Sequence, residues 1–298
     1  MTTATPAATA TRSERIVPPP PWKRFISRNK LGTFGIVVFV AILILSFIGP
    51  LFLPDGNPTR LDERFCQPSA SAWLGCDHRG RDIWYQIVNG GSQLILVSAA
   101  AALISTLIAI TFGALAALLG GKFESVVLMI TEVVLTVPSI ILLGVLAVFV
   151  SLNSPILLVV VLAATGWPTL LRAVRAQVLS LKEREFVEAA RMLDLGMPRI
   201  LFREVLPNMA SYIIINFVFG MTGAIYGQVV LYFLGLVSLS GDNWGLMVDQ
   251  AYRQGAATSP ELMMYLIAPI VMIVLLMWSL TLVARALEDV FNPRLREA

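Results

Sequence analysis

Few side chains in this sequence could carry out nucleophilic or metal chemistry. Cys66 and Cys76 are the only thiols, and His78 is the only histidine. Two cysteines without clustered histidines make a poor zinc site, so we expect no metal here and interpret His78 as a polar loop residue. The cysteines share one polar segment between apolar stretches, which favours a disulfide if that segment lies outside the cytosol. Two unrelated thiols are the alternative.

The acid–base groups are equally sparse. Glu132 is the one charge that interrupts a long apolar run, whereas paired carboxylates, a histidine cluster and an activated serine or cysteine are not evident. The phosphate-binding pattern G-x-x-x-x-G-K-[ST] does not occur. The sequence therefore predicts no catalytic residues and argues against an enzyme, membrane-embedded or soluble.

Most of the charge chemistry lies in one stretch, residues 172–207, which carries 7 basic and 5 acidic residues. Apolar residues recur there at helical spacing on one face, at Phe186, Ala189, Ala190 and Leu193. Acidic residues from Glu183 to Glu188 suit the amino terminus of that helix. Gly196 is predicted to end the helix, and Pro198 to begin the next one.

This amphipathic helix has two possible partners. Its alanines allow close approach, which fits a groove on another protein. A helix lying on the lipid surface is the alternative. The early glutamates argue against anionic lipid as the main partner, but both interpretations remain open at this point.

The composition of the chain indicates the class of structure that must position these residues. Of 298 residues, 57% are hydrophobic and only 14% are charged. Soluble domains carry about 25% charged residues, so this chain cannot cover a water-facing surface of its size. The excess of basic over acidic residues gives a net charge of only +3, and we assign no nucleic-acid partner.

The charges leave five long charge-free stretches, which do not alternate as strands of an outer-membrane barrel would. We therefore predict an all-α polytopic membrane protein with six transmembrane helices. The predicted spans are about Leu31–Leu53, Ser92–Leu119, Val126–Val150 (with a kink at Pro138), Ile156–Leu171, Met209–Leu234 and Leu262–Ala284. Asn89-Gly90-Gly91 is interpreted as the polar boundary before the second span.

An even number of spans places both termini on one side. With the amino terminus inside, 17 of the 22 Lys and Arg residues are cytoplasmic, and 5 are outside. The positive-inside rule therefore predicts an N-in, C-in orientation. Residues 1–22 form a predicted disordered, Thr/Ala/Pro-rich cytoplasmic tail, and residues 23–298 form the membrane domain. Its long loops are about 54–91 outside, 172–207 inside and 237–261 outside. The last of these could contact a partner protein or act as a gate, and the alternative is an ordinary loop with Trp244 as an interfacial anchor.

At the cytoplasmic loop the sequence resembles a known family. Glu188-Ala189-Ala190, followed by Leu206-Pro207, resembles the EAA loop of ABC importer permeases. Further motifs are similar to the dipeptide/oligopeptide/nickel branch, and their order resembles its C-type permease subunit. They are the run from Trp167-Pro168 to Arg191, the segment from Trp73 to Asp82, Leu234-Gly235-Leu236 with Trp244-Gly245-Leu246-Met247, and Asn292-Pro293-Arg294-Leu295.

The resemblance implies a type I ABC importer permease fold in the plasma membrane of a prokaryote. It implies a homologous second permease subunit, two ATPase subunits or one two-domain ATPase, and an extracytoplasmic substrate-binding protein. It assigns no cofactor to this chain and places ATP and Mg on the ATPases. It implies that the EAA helix couples to the ATPase, with these candidate residues: Arg184, Glu185, Glu188, Ala189, Ala190, Arg191, Asp194 and Gly196.

Two positions depart from the family pattern. Asp194 stands where the family has Gly after its EAA motif, with Gly196 two residues later, so the turn is expected to be shifted. Cys76 replaces the usual Thr, which fits a disulfide peculiar to this chain or its near relatives.

The transport path is not evident from motifs. Candidate path or gate residues are Glu132, Met221, Gly223, Tyr226, Gln228 and Tyr232. Glu132 lies near the cytoplasmic end of its predicted span, so a wet, structural location is favoured over a contact with substrate. The other five fit interhelix packing equally well. Di- and oligopeptides are the cargo that the resemblance implies, with nickel, opines or oligosaccharides as alternatives. An ion-coupled secondary transporter would need inverted repeats and more buried charges, which are not evident.

Overall fold

The computed structural model describes residues 29–239 and 241–291. Almost all of this part is helical, and strand-type pairing there is limited to two isolated bridges, Cys76 with Asp82 and Leu152 with Val237. The predicted all-α class is therefore confirmed. The predicted tail 1–22 and the Asn292-Pro293-Arg294-Leu295 motif lie outside the described residues.

The helices follow one another with few long connections. They are α1 (Lys30–Phe47), α2 (Ile83–Leu119), α3 (Gly121–Thr136), α4 (Ser139–Val150), α5 (Pro155–Gly166), α6 (Pro168–Leu181), α7 (Glu185–Met192), α8 (Met197–Ile200), α9 (Leu206–Asn208), α10 (Ala210–Phe233), α11 (Trp244–Arg253) and α12 (Met263–Phe291). A π-helical turn, Leu201–Val205, joins α8 to α9. Short 3-10 turns occupy Gly49–Phe52 and Pro260–Leu262.

By length and composition, four helices can each cross a membrane alone: α1, α2, α10 and α12 (with the turn before it). Two bent pairs follow the same criteria together, α3 with α4 at 94° and α5 with α6 at 49°, so the helices give six spans when each pair counts as one. The predicted third span, kinked at Pro138, and the predicted fourth span are therefore each corrected to two half-helices.

Both breaks have a local chemical cause. Proline disfavours the helical conformation in the residue before it, and Val137 and Pro138 are both extended, each with ψ 128°. The kink predicted at Pro138 is thus a complete break. At the second break, Pro168 lacks the N–H that would bond to the Ala164 carbonyl. The Trp167 indole Nε1 donates to that carbonyl instead, at 2.9 Å.

α2 is the central helix of the bundle. Its buried residues are mostly small, which lets α1, α6 and α10 approach it closely. At Gly113, for example, an added Cβ would lie 2.8 Å from the Leu171 carbonyl oxygen of α6. The helix begins at Ile83, capped by the Asp82 side chain, rather than at Ser92. Gly90 and Gly91 are inside it because Trp244 packs directly against them.

The first and last described helices pack side by side. At Gly35 an added Cβ would lie 2.3 Å from the Leu282 Cβ, so α1 and α12 are in close contact. At their far ends Asn29 Nδ2 donates to Asp289 Oδ2 at 2.5 Å. The two ends of the described membrane domain therefore lie on the same side, as an even number of spans requires.

The second outer loop contains a helix that the sequence analysis missed. α11 begins at the N-cap Asn243, whose side chain accepts from the Gly245 N–H at 2.9 Å. Trp244 is 0% exposed, and its indole Nε1 donates to the Ile87 carbonyl at 2.8 Å. The prediction of Trp244 as an interfacial anchor in a polar loop was wrong, because the residue holds α11 onto α2.

Candidate functional site: the cytoplasmic loop and the membrane cavity

The cytoplasmic loop begins where α6 leaves the bundle. A turn of three residues, 182–184, leads from α6 into α7, which has Glu185 and Glu188 in its first turn. Val187 and Ala190 of α7 are buried in an apolar cluster with Val174 and Val178 of α6. α7 is thereby held against the bundle, where its helix contacts are with α8 and the π-helical turn Leu201–Val205.

The opposite side of α7 faces away from the protein. Arg184, Glu185, Glu188 and Ala189 are exposed. Met192 is 86% exposed and Leu193 74%, unusually high for large apolar residues. The single apolar face predicted from Phe186, Ala189, Ala190 and Leu193 was wrong in part, because Ala190 points inward. The side chains of Phe186 and Arg191 lie outside the described residues.

The turn that ends α7 falls on Asp194. Asp194 adopts the left-handed conformation with φ 51°, and the Leu195 N–H donates to the Ala190 carbonyl at 3.2 Å. This is a Schellman motif with aspartate in the position that glycine usually fills. The prediction that the turn shifts to Gly196 was wrong, because aspartate tolerates left-handed backbone better than most residues.

A cavity of about 400 Å³ lies beside both helix breaks. Its walls come from α2, α4, α5, α6 and α10, and the two short segments around the breaks contribute Ser139, Gly166 and Thr169. Its polar lining consists of uncharged groups: Ser105, Thr106, Ser139, Thr165, Thr169, Asn216 and Tyr226. Sequence reasoning missed all of these except Tyr226, although hydroxyl and amide residues inside apolar helices were the available signal.

The candidate path residues on α10 separate into two groups. Tyr226 is 52% exposed and lines the cavity, together with Gly223. Met221, Gln228 and Tyr232 are buried against neighbouring helices of the same chain. Burial of these three favours the packing interpretation that the sequence left open for them.

Glu132 lies outside the cavity lining. Its carboxylate is 3.4 Å from the Arg172 guanidinium, in a pair that joins α3 to α6. Beside it, Arg175 Nε donates to Glu124 Oε1 at 2.6 Å. The structure therefore places Glu132 in a helix–helix contact.

On the outside, the predicted Cys66–Cys76 disulfide is present, with a Cα–Cα distance of 4.8 Å. Asp77 follows the disulfide directly in the chain and is 0% exposed. The Asp77 carboxylate accepts from the Arg79 and Arg81 N–H groups at 2.8 and 2.9 Å, from Arg81 Nε at 2.9 Å and from Gln86 Nε2 at 3.0 Å. This buried carboxylate organises the segment before α2, a role that sequence reasoning did not assign.

Arg81 also reaches across to the second outer loop. Its Nη1 is 3.6 Å from Asp242 Oδ1, just before α11. Burial raises the pKa of Asp242, and the neighbouring Arg81 charge opposes that shift. The pair therefore ties the two outer loops together.

His78 belongs to a hydrogen-bond chain. Arg79 Nε donates to His78 Nε2 at 3.2 Å, which makes Nδ1 the protonated nitrogen of a neutral ring. His78 Nδ1 then donates to Tyr265 Oη at 3.1 Å, and Tyr265 donates to Gln250 Oε1 at 3.3 Å. Burial lowers the pKa of His78. Within the described residues no group of three or more His, Cys, Asp or Glu side chains could hold a metal ion.

Comparison with known protein families shows the family to which the chain belongs. A family model described as "Binding-protein-dependent transport system inner membrane component" matches residues 109–297. The chain belongs to this permease family. A second model, "N-terminal TM domain of oligopeptide transport permease C", matches residues 21–65. The two matches identify a C-type permease subunit, a multi-pass membrane protein.

Individual permeases of the family resemble the chain along nearly its whole length. The oligopeptide transport system permease protein OppC of Bacillus subtilis is 30% identical, covering 93% of this chain and 90% of that protein. A putative peptide permease protein of Brucella ovis is 32% identical, and the match covers 91% of this chain and 89% of that protein. The dipeptide transport system permease protein DppC of Bacillus subtilis is 30% identical, covering 92% and 85%. The permease family match includes both the cytoplasmic loop and most of the cavity.

Proposed function

We propose that this chain is the C-type permease subunit of an ATP-driven importer of di- and oligopeptides. The observation that carries the proposal is the near full-length similarity to permeases named for oligopeptide and dipeptide transport. The proposed assembly contains a homologous second permease, two ATPase subunits or one two-domain ATPase that bind ATP and Mg, and an extracytoplasmic substrate-binding protein.

The cavity is proposed as the contribution of this chain to the path. Its lining offers hydroxyl, phenol and amide groups, which can exchange hydrogen bonds with peptide groups of any sequence. No carboxylate, imidazole or thiol is among the lining residues. A bare nickel ion would need such ligands, so the lining supports a peptide cargo over nickel.

The exposed face of α7 is proposed as the contact with the ATPase. Met192 and Leu193 supply exposed apolar area, and Glu185 and Glu188 supply negative charge beside it. A partner groove would therefore be apolar with basic residues at its rim. Because Val187 and Ala190 of α7 share an apolar cluster with Val174 and Val178 of α6, a shift of the ATPase could be passed through α6 to the cavity wall.

The test is uptake of labelled peptides by proteoliposomes that contain the complete transporter, with ATP inside. We expect Glu188→Lys to lower ATP-dependent uptake on the order of tenfold and to weaken retention of the ATPase during purification, because charge reversal opposes a basic rim. Glu183→Lys is the matched control, since Glu183 is an exposed glutamate in the turn before α7. Wild-type levels of uptake and of bound ATPase in the Glu188→Lys variant would contradict the coupling role.

Cargo is tested in the same vesicles. Labelled di- and oligopeptides are expected to accumulate when ATP is present and to compete with each other. Accumulation of ⁶³Ni²⁺ without peptide accumulation would instead support the nickel alternative.

A further inference from the structure

The inner halves of the two broken spans are joined by charge. Glu124 and Glu132 lie on α3, and their partners Arg175 and Arg172 lie on α6. The Arg175–Glu124 pair is largely enclosed, with side chains 28% and 22% exposed. Both pairs lie on the cytoplasmic side of the breaks at Pro138 and Pro168.

The outer halves are joined without charge. α4 and α5 contain no Asp, Glu, Lys or Arg. They contact each other through an apolar cluster that includes Leu143, Ala147, Leu158 and Val161. Each broken span therefore has an inner half packed on the inner half of the other, and an outer half packed on the other outer half.

The two pairs differ in exposure. The Arg172 and Glu132 side chains are 46% and 66% exposed, so this pair contributes little by itself, whereas Arg175 and Glu124 are 28% and 22% exposed. Glu132 lies one turn before Thr136, the last residue of α3, and so close to the first break. Together the pairs join α3 to α6 at two points along their length.

The breaks and the cavity lie where these two layers meet. Ser139 and Ile140 follow the first break, Gly166 and Thr169 flank the second, and all four line the cavity. α6 is joined to α7 by the turn 182–184, and Val187 of α7 shares an apolar cluster with Val174 and Val178 of α6. α6 is therefore one route by which a displacement of α7 can reach the cavity wall.

We propose that Glu124, Glu132, Arg172 and Arg175 are positioning residues that make α3 and α6 move as one unit. This unit turns about the extended segment Val137–Pro138 and the break at Trp167–Pro168, and so changes the cavity when α7 moves. The inference rests on the proposed function, since it assigns the internal transmission of the same permease.

The test measures uptake per ATP hydrolysed by the complete transporter in proteoliposomes. Arg172→Glu places two like charges together, and we expect the ratio to fall about fivefold while ATP hydrolysis continues. The swapped pair Glu132→Arg/Arg172→Glu should restore the ratio to within about twofold of wild type. Lys122→Glu is the control, an exposed lysine of α3 with no ion pair in the described part of the chain.

A purely structural contact would reduce the amount of assembled transporter without changing uptake per ATP. An unchanged ratio in Arg172→Glu, or a swap as low as the single variant, would therefore overturn the proposal. If the Arg172→Glu transporter does not assemble, Glu132→Gln serves instead, because glutamine has nearly the shape of glutamate without its charge. We expect uptake per ATP to fall about two- to threefold in that variant. An unchanged ratio in Glu132→Gln would also overturn the proposal. Absence of ATP-driven peptide uptake by the wild type would contradict the proposed function, whereas normal wild-type uptake with unaffected variants contradicts only the ion-paired unit.

Discussion

The outer and inner loops of the membrane domain differ in the contacts that hold them to the helices. Outside, a disulfide, the buried Asp77 carboxylate and the enclosed Trp244 fix the loops to the top of α2. Inside, α7 is connected to the bundle by the exposed turn 182–184 and by an apolar cluster that includes Val187 and Ala190. The difference indicates a rigid outer end and an inner loop with fewer internal contacts.

Removing the carboxylate of Asp77 should have the largest effect on the outer end. Asp77→Ala leaves Arg81 and Gln86 without their buried acceptor. We expect the free energy of unfolding to fall by about 3–5 kcal/mol. Thermal unfolding of the detergent-solubilised protein measures this. Glu63→Ala is the control, because Glu63 is an exposed acid in the same loop whose ion pair with Arg60 lies on the surface. Equal melting temperatures for the two variants would contradict a rigid outer end.

Loss of the disulfide should rank second. Cys66→Ser/Cys76→Ser opens a loop with a sequence separation of 10, and we expect destabilisation of about 2–3 kcal/mol. Proteolysis of the outer loop, with and without reductant, reports the change. A wild-type protein whose protease resistance is indifferent to reductant would show that the hydrogen bonds around Asp77 hold the loop alone.

A change at the inner turn should be smaller. Asp194→Gly relieves the left-handed backbone, so we expect slower hydrogen exchange in the cytoplasmic loop, corresponding to at most about 1 kcal/mol. Asp194→Val, whose branched side chain disfavours that backbone, should speed exchange there. If the melting temperature of the whole protein shifts as much as for Asp77→Ala, the contrast between the two ends fails.

Acidification should produce the smallest effect, at the outer end only. Burial lowers the pKa of His78, so the unfolded loop binds a proton more readily than the folded one. Stability that is complete above the ordinary value of 6.5 is therefore lost as pH falls through the lowered pKa. Protonation would also end the bond that Nε2 accepts from Arg79. His78→Gln should abolish this pH dependence of unfolding. If the pH dependence persists in the variant, it arises from another titratable group.

The sequence predicted the apolar helices and the disulfide because both follow from strong constraints. A membrane span needs a long stretch of mainly apolar residues, and two cysteines that share an outer loop can keep a disulfide outside the cytosol. The path residues were harder, because spacing on α10 does not reveal which neighbour covers each face. Met221 and Tyr226 differ in exposure only because other helices cover one and not the other.

Some of what was missed had a readable signal. Asp82 before α2 and Asn243 before α11 are both N-cap residues followed by helical spacing of apolar residues. The break at Trp167–Pro168 was predictable from proline but was passed over within an apolar run. The left-handed Asp194 had no comparable signal, because aspartate is only occasionally used there.

The length of α2 sets the scale of any motion. Its 37 residues form an uninterrupted rod of about 55 Å, held at the top by Trp244 and in contact with α6 near its lower end. With the top fixed, a tilt of only about 5° would sweep the bottom of the rod sideways by about 5 Å. A tilt of α2 about its fixed upper end therefore converts a small change in angle into a displacement about as large as the pitch of one helical turn.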